Sequence, residues 1–248
     1  MLGALLIAAP LPLQAQRKAT GLETLVTDTQ AFLNAHPDLL FRVRGMELIK
    51  TEQPSKALIA FQRAAVYADK PSQAYVAGMF WEGIGTARDR SLAYAWMDLA
   101  AERGYPDFVA MREKMWGELS APEQVRAIRE GEAIYARYGD DAAIPRLDRE
   151  MRRQRAQVVG SRTGFTGNAK ILVPVPGMSG DPATTPAITI DGSQFYADKF
   201  WEPKQYQAWL DAQWKEPRGG RVEVGALKQD KSVPASRVKD KKDAPGKP

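Results

Sequence analysis

One helical sequence pattern occurs twice in this chain, and it constrains the fold more than any other feature. The two copies, each of the form Ala, large apolar, Ala, Ala and separated by 36 residues, are Ala57, Phe61, Ala64, Ala65 and Ala93, Met97, Ala100, Ala101. Residues spaced at i, i+4, i+7 and i+8 lie on one side of an α-helix. Small side chains on that side allow a neighbouring helix to approach closely. The pattern therefore predicts repeated pairs of packed helices.

Helical patterns extend well beyond these two copies. From Thr20 to about Arg155 the sequence shows helix-length apolar periodicity with short connections, including a proline start at Pro54. Helices in short pairs with short connections are typical of a solenoid. We therefore predict a mainly α protein with a repeat domain at residues 20–157, followed by a small α+β module and a disordered tail.

The second copy lies within a longer spaced motif at residues 77 to 104. Its defining residues are Gly83, Gly85, Asp89, Ala93, Trp96, Ala100, Ala101 and Gly104. This spacing resembles that of a Sel-one-like repeat, a relative of the tetratricopeptide repeat, and the resemblance extends over residues 38–139. The chain departs from the family pattern at Val76 and Ala77, where Leu-Gly is usual, and at Phe80, which replaces a Tyr.

The glycines of this motif predict a turn between two helices. Gly83 can end the first helix in the left-handed conformation, and Gly85 allows a tight loop. Asp89 is a candidate cap of the second helix, whereas Trp96 is expected to pack on the first helix. A phosphate-binding glycine loop is the alternative, but the chain has no G-x-x-x-x-G-K-[ST] motif and no strand pattern before Gly83.

The composition changes after the helical part, which indicates a small β-containing module at residues 158–227. The segments KILVPV, PAITIDGSQFYAD and GGRVEVGAL have strand character, and Asp191-Gly192 favours a hairpin turn. The segment PKQYQAWLDAQW predicts a short amphipathic helix that carries Tyr206, Trp209, Leu210 and Trp214 near one face.

The positive charge of the chain is concentrated at its C-terminal end. Residues 228–248 hold seven Lys/Arg and three Asp/Glu, so this tail supplies a net +4 of the formal +5. It has almost no large apolar side chain, which predicts disorder. The nearly neutral remainder argues against nucleic-acid binding, while the tail is a candidate contact for an anionic surface.

The N-terminal segment MLGALLIAAPLPLQAQRK is typical of a signal peptide. Its apolar run is too short to span a bilayer, so no integral membrane span is predicted. Cleavage is expected between Ala15 and Gln16, and the protein is then periplasmic or secreted. No basic residue precedes the apolar run, which leaves open a translation start further upstream; a buried N-terminal helix is disfavoured by Pro10 and Pro12.

The residue types needed for most enzyme chemistry are scarce. The chain has no Cys and one His, so we predict no catalytic residue, no cofactor and no metal site. His36 precedes Pro37 at a helix end, where a capping or surface role is expected. Ser236 and Lys239 match the S-x-x-K motif of penicillin-recognising enzymes, but they lie in the predicted tail and lack the companion motifs.

Charged pairs offer weaker alternatives. Asp98 and Glu102 are spaced i, i+4 and could form an acid/base pair in a cleft, although such carboxylates usually belong to a solvated helix face. Glu130 and Glu132 point to different faces. The basic run at residues 149–155 either binds an anionic surface or forms an exposed helix end.

Trp81 and Glu82 are the candidate partner-binding residues. Both fall at variable positions of the motif, on the first helix of the pair, where an exposed aromatic is a typical anchor; the alternative is that Trp81 packs against a neighbouring repeat.

The resemblance implies roles in protein assembly, envelope processes or host contact. We therefore predict a non-enzymatic adaptor for a protein or peptide in the cell envelope. The alternatives are a cell-wall enzyme that hydrolyses β-lactams or peptidoglycan, and a binder of anionic surfaces.

Overall fold

The computed structural model of the chain describes residues 21–159, 170–174 and 187–215. Its helices are α1 (Gly21–Thr27), α2 (Gln30–Ala35), α3 (Pro37–Lys50), α4 (Pro54–Ala65), α5 (Lys70–Glu82), α6 (Arg90–Ala100), α7 (Pro106–Glu118), α8 (Ala121–Tyr138), α9 (Asp140–Val159), α10 (Gly192–Phe195), α11 (Asp198–Trp201) and α12 (Pro203–Ala212). A 3-10 turn follows α6 at Ala101–Arg103, and the strands are β1 (Lys170–Pro174) and β2 (Ala187–Asp191). The prediction of a mainly α protein is confirmed.

The first hairpin consists of α3 and α4. Pro54 opens α4, where its missing N–H costs nothing because the first helical N–H groups have no partner within the helix. The two helices approach closely at Gly45, since a Cβ atom there would lie 2.5 Å from the ring of Phe61. A glycine on one helix therefore accommodates the large apolar residue of the predicted stripe on the other.

The second hairpin consists of α5 and α6. The side chain of Asp69 accepts a hydrogen bond from the backbone N–H of Ser72 and so caps α5. Gly83 ends that helix with a φ of 72°, in the left-handed region. The backbone N–H of Asp89 then donates to the Phe80 carbonyl oxygen at 2.9 Å, which closes the connection between the helices.

The apolar residues of the hairpins form one core, which we call the repeat core. Both predicted stripes are buried, in this core except for Ala64, and α7 and α8 both pack on α6. The side chains that define the repeat core are Ala57, Leu58, Phe61, Ala65, Ala74, Val76, Ala77, Met79, Trp81, Ala93, Ala95, Trp96, Met97, Leu99, Ala100, Ala101, Tyr105, Phe108, Met115, Leu119, Ala127 and Ile134.

A second core joins parts of the chain that are distant in sequence. It combines residues of α1–α3, residues of α9, one residue of β2 and residues of the segment that follows β2, and it is rich in aromatic rings. Its members are Val26, Phe32, Ala35, Leu39, Leu147, Met151, Ile190, Phe195, Tyr196, Phe200, Trp201, Tyr206 and Leu210. The predicted amphipathic helix is present as α12, with Tyr206 and Leu210 buried and Trp209 half-buried against the second core. Trp214 lies beyond the end of α12 and packs against the repeat core instead.

The two strands pair with each other, and the predicted hairpin at Asp191-Gly192 is wrong. Strands β1 and β2 are antiparallel, with Ile171 opposite Ile190. The Asp191 side chain accepts hydrogen bonds from the backbone N–H and the hydroxyl of Ser193, so it caps the short helix α10. The same Asx chemistry that favours a hairpin turn also favours a helix start, and packing of Phe195 in the second core selects the helix.

Several predictions fall outside the described residues. These are the signal peptide with its Ala15–Gln16 cleavage site, the third strand in GGRVEVGAL, and the tail with Ser236 and Lys239. The predicted boundary near residue 158 remains a prediction, although residues between 190 and 210 share the second core with α1–α3.

Candidate protein-interaction surface

The motif glycines shape the connection between α5 and α6 and its contact with the first hairpin. Gly85 has a φ of 72°, and a Cβ atom there would lie 2.5 Å from the carbonyl carbon of Pro54. The loop thus presses directly on the backbone that begins α4. Gly104 is also left-handed, with a φ of 68°, but nothing lies within 4 Å of its Cβ position. The left-handed backbone favours glycine at both positions. Only at Gly85 would a side chain also collide with neighbouring backbone.

The remaining motif residues pack or cap helices. Asp89 accepts a hydrogen bond from the backbone N–H of Leu92, and it also pairs with Arg126 of α8 at 2.5 Å. The Trp96 ring lies 4.7 Å from that of Tyr138, between centroids, and joins α6 to the end of α8. Ala93 and Ala100 are buried on α6, and Ala101 is buried in the 3-10 turn that follows it. All of these side chains act within the fold.

Of the two candidate partner-binding residues, Trp81 is buried and Glu82 is exposed. Trp81 is only 9% exposed and belongs to the repeat core, so it lacks the exposure that an anchor requires. The guanidinium of Arg90 lies 4.7 Å from its ring centroid and covers it, which supports the packing alternative. Glu82 is exposed. Sequence spacing could not reveal the burial of Trp81, because Arg90 belongs to the next helix.

Asp98 and Glu102, the candidate acid/base pair, each contact a different basic residue. Asp98 pairs with Arg112 at 3.4 Å and accepts a hydrogen bond from the Tyr135 hydroxyl at 3.3 Å. Glu102 contacts Lys70 at 2.5 Å. The two carboxylates thus have different partners and do not form an acid/base pair. Glu130 pairs with Arg126, whereas Glu132 is exposed.

A polar seam links the repeat core to the second core. It comprises Lys70, Glu102, Arg103, Tyr105, Asp140 and Asp211. The Lys70 side chain is fully buried, and its Nζ lies 2.5 Å from Glu102 and 3.0 Å from Asp140. Burial alone would raise the pKa of Asp140, but Arg103 and Lys70 hold it below its ordinary value. Lys70 is the first residue of α5, where the helix dipole disfavours a positive charge. This unfavourable position is the sequence signal that could have pointed to the seam.

His36 lies inside the second core, so the surface role predicted for it is wrong. It ends α2, as a capping position should, but its side chain is completely buried and stacks on Phe32 with 3.8 Å between ring centroids. Its Nδ1 lies 2.8 Å from the Phe32 carbonyl oxygen and its Nε2 lies 2.7 Å from that of Phe200. Burial lowers the pKa of His36 to about 4, against the opposing effect of these two carbonyls.

Asp38 is a buried carboxyl in the same region. Its Oδ2 accepts a hydrogen bond from the Tyr206 hydroxyl at 2.7 Å, whereas its Oδ1 has no hydrogen-bond partner among the described residues. Burial, with a smaller contribution from Asp69, raises the pKa of Asp38 to about 7. Arg42 pairs with Asp69 at 2.9 Å. The Asp38–Tyr206 hydrogen bond joins α3 to α12, and the Arg42–Asp69 pair joins α3 to the start of α5.

The basic run on α9 is partly neutralised. Arg153 pairs with Glu150, and Arg155 pairs with Glu202, whereas Arg149 and Arg152 are exposed. A shallow groove of about 420 Å³ lies beside this run, between α9 and α12, with Ile144, Pro203 and Ala208 in its wall. Both lysines at the groove, Lys204 and Lys215, are exposed.

Large apolar side chains remain exposed on the helices that surround the second hairpin. They are Val43, Ile49, Ile59, Val125 and Ile128. The first three belong to the first hairpin and the last two to α8. The exposed fraction is 53% at Ile59 and 69% at Val125. Contiguous exposed apolar patches are typical of interaction surfaces, whereas single exposed apolar residues are common on any protein surface.

Two further classes of site can be assessed over residues 21–159, 170–174 and 187–215. No helix in these ranges combines the length and apolarity that crossing a bilayer requires. The same ranges contain no group of three or more His, Cys, Asp or Glu residues arranged to hold a metal ion.

The fold thus defines a helical-hairpin protein with a polar seam and exposed apolar helix faces. Neither a protein-family model nor a curated protein matches the chain. Among solved structures, it is similar to a protective antigen present in uropathogenic Escherichia coli strains, described as displaying an SLR fold, that is, a Sel-one-like repeat fold. The identity is 20%, the TM-score is 0.40, and the match covers 53% of this chain and 27% of the other.

Proposed function

We propose that this chain is an exported adaptor that binds a protein or peptide partner in the cell envelope through its first hairpin. The observation that carries the proposal is the exposure of Val43, Ile49 and Ile59 on α3 and α4. The ionisable side chains considered for chemistry, His36, Asp98 and Glu102, are occupied by structural contacts instead. Recognition is therefore better supported than a reaction.

The charges around this surface suggest the chemistry of the partner. Exposed basic residues lie within four positions of these apolar residues in the sequence, at Arg44, Lys50, Lys56 and Arg63. Only Glu47 and Glu52 oppose them among the exposed residues of the first hairpin. A partner segment with apolar side chains and acidic neighbours would complement both features. Contact of the basic tail with an anionic surface remains a separate proposal.

Affinity capture from a native envelope extract tests this function. The full chain is compared with Ile59→Asp, which places a negative charge in the proposed surface. Val125→Asp is the matched control, since it makes the same kind of change on α8. We expect Ile59→Asp to lose the captured partner and Val125→Asp to retain it. Equal capture by the wild type and Ile59→Asp would contradict the proposed surface.

A further inference from the structure

The groove between α9 and α12 is a concave site that lies outside the first hairpin. Its wall is apolar on both sides, with Ile144 on α9 and with Pro203, Ala208 and Ala212 on α12. Its volume of about 420 Å³ falls within the range of about 300–1,000 Å³ that is typical of ligand clefts. Ala208 and Ala212 are exposed, so the α12 side of the wall is open to a ligand.

The exposed charges at this groove are positive. Lys204 and Lys215 both line it and are both exposed, and among the described residues Lys204 has no ion pair. Arg152 follows Asp148 by four residues on α9, so the two side chains lie on the same side of that helix and their charges offset each other. Lys204 is therefore available to a carboxylate of a ligand.

The other carboxylates near the groove already have basic partners. The Oδ1 of Asp211 accepts hydrogen bonds from the Arg103 guanidinium at 3.2 Å and from the Tyr105 hydroxyl at 2.5 Å. Glu202, which directly precedes the wall residue Pro203, pairs with Arg155 at 2.5 Å. These pairs leave the positive charge of Lys204 uncompensated.

Two acceptor oxygens at the same groove lack hydrogen-bond partners. Asp148 Oδ1 and Gln207 Oε1 are shielded from solvent and have no donor among the described residues. A buried acceptor without a donor is unfavourable. A bound peptide offers backbone N–H groups to these oxygens once the side chains turn towards the groove, whereas the acyl chain of a lipid offers none. The groove therefore suits a peptide better than a lipid.

We propose that the groove between α9 and α12 binds an acidic peptide segment of a partner protein. One or two apolar side chains of the segment lie against Ala208 and Ala212, and a carboxylate lies beside Lys204. The apolar wall provides the affinity, and the charge of Lys204 selects an acidic sequence over a basic one. The site contains no residue of the first hairpin, so it is independent of the surface proposed there.

Fluorescence anisotropy of defined peptides with the full chain tests this site. The probe is a fluorescein-labelled Asp-Leu-Leu-Glu peptide with an amidated C-terminus. Two matched probes replace either both leucines by serine or both acidic residues by lysine. We expect saturable binding of the first probe alone, and weaker binding as the salt concentration is raised, because salt screens exposed charges. Absence of saturable binding by the first probe, or equal binding by either matched probe, would overturn the proposal.

Variants at exposed positions of the groove locate the bound peptide. Lys204→Glu should weaken binding by about fivefold, the upper range of one surface ion pair. Ala208→Glu should weaken it further, because it fills the apolar wall and repels the acidic probe. Lys114→Glu on α7 and Ile59→Asp on α4 are the matched controls and should bind as the wild type does. Loss of binding in Ile59→Asp but not in Ala208→Glu would place the peptide on the first hairpin and contradict the proposed site.

An anionic membrane is the other occupant that a positive groove could take. Co-sedimentation with vesicles of phosphatidylserine and phosphatidylcholine distinguishes the two. We expect Ala208→Glu to leave any vesicle binding unchanged while it weakens binding of the acidic peptide. Vesicle binding that Ala208→Glu abolishes, together with no binding of the peptide, would assign the groove to lipid and overturn the proposal.

Discussion

The two cores of this molecule are built by different means. The repeat core combines small apolar side chains with neighbouring hairpins, and its turns are formed by nearby residues such as Gly83 and Asp89. The second core combines aromatic rings with the buried polar residues His36 and Asp38, whose partners Phe200 and Tyr206 are more than 160 residues away. Local spacing specifies the first core, whereas long-range polar contacts specify the second. Destabilising substitutions and pH should therefore act on them differently.

The largest effect is expected in the polar seam between the cores. Lys70→Met removes the fully buried cation that contacts Glu102 and Asp140. Removal of one partner from a buried ion pair costs about 3–5 kcal/mol. The loss should fall near the lower end of this range, because Glu102 and Asp140 are partly exposed and Asp140 keeps its pair with Arg103. Urea denaturation should show this loss in the free energy of unfolding. Lys114→Met, on an exposed position of α7, is the control and should be nearly neutral. A similar small effect for both would mean that the seam does not couple the cores.

The next largest loss of stability is expected at the left-handed glycines of the repeat core. Two variants distinguish the cost of the backbone conformation from the cost of a steric clash. Gly85→Ala and Gly104→Ala both place a Cβ atom in the left-handed region, at a cost of about 1–2 kcal/mol each. Only Gly85 also faces the Pro54 backbone at 2.5 Å, so overpacking should add about 1–3 kcal/mol there. Equal losses of stability in the two variants would contradict the contact between the loop and α4.

His36 and Asp38 in the second core should change the stability in opposite directions as the pH rises. The pKa of His36 falls from 6.5 to about 4 on folding, so between these values the unfolded chain binds the additional proton and stability rises with pH. The pKa of Asp38 rises from 3.8 to about 7, so the folded chain binds the additional proton and stability falls with pH. The two contributions largely cancel between pH 4 and 6.5.

Single substitutions should reveal each contribution. Asp38→Asn should leave stability rising with pH, and His36→Gln should leave it falling, each by up to about 1.4 kcal/mol per pH unit. Urea denaturation at several pH values between 4 and 6.5 measures both slopes. Slopes of the same sign in the two variants would contradict this account of the buried pair.

The smallest effect concerns the cap of α6. Asp89→Ala should cost about 1 kcal/mol, since it removes the acceptor for the Leu92 N–H. Asp89→Asn keeps an oxygen acceptor and loses only the pair with the partly exposed Arg126, which should cost less than about 1 kcal/mol. A larger loss in Asp89→Asn would show that the ion pair, not the cap, is the important contact.

The contrast between the cores also explains what sequence reasoning could reach. The alanine stripes, the turn at Gly83 and the cap at Asp89 were predictable, because each depends on spacing within about 40 residues. The burial of His36 was not, since its neighbours Phe200 and Tyr206 come from the far end of the chain. Trp81 was ambiguous for a related reason: the same position serves for packing or for binding, and the position of Arg90 decides between them.

The exposed side of α8 could likewise not be predicted from the sequence. Val125 and Ile128 fit an amphipathic helix pattern, but the pattern alone does not show which side of α8 is covered. Packing of Ala127 and Ile134 on α6 settles this and leaves the other side exposed. An exposed apolar face is therefore a result of tertiary packing, which local sequence does not record.

Photocross-linking in the native envelope is the most direct test of the central claim that the first hairpin binds a partner. A photoreactive amino acid is placed at position 59, at the exposed position of Glu82 and at the exposed position of Gly117 on α7. We predict that one partner protein cross-links efficiently from position 59 and poorly from positions 82 and 117. Cross-linking from position 82 or 117 without any from position 59 would contradict the claim.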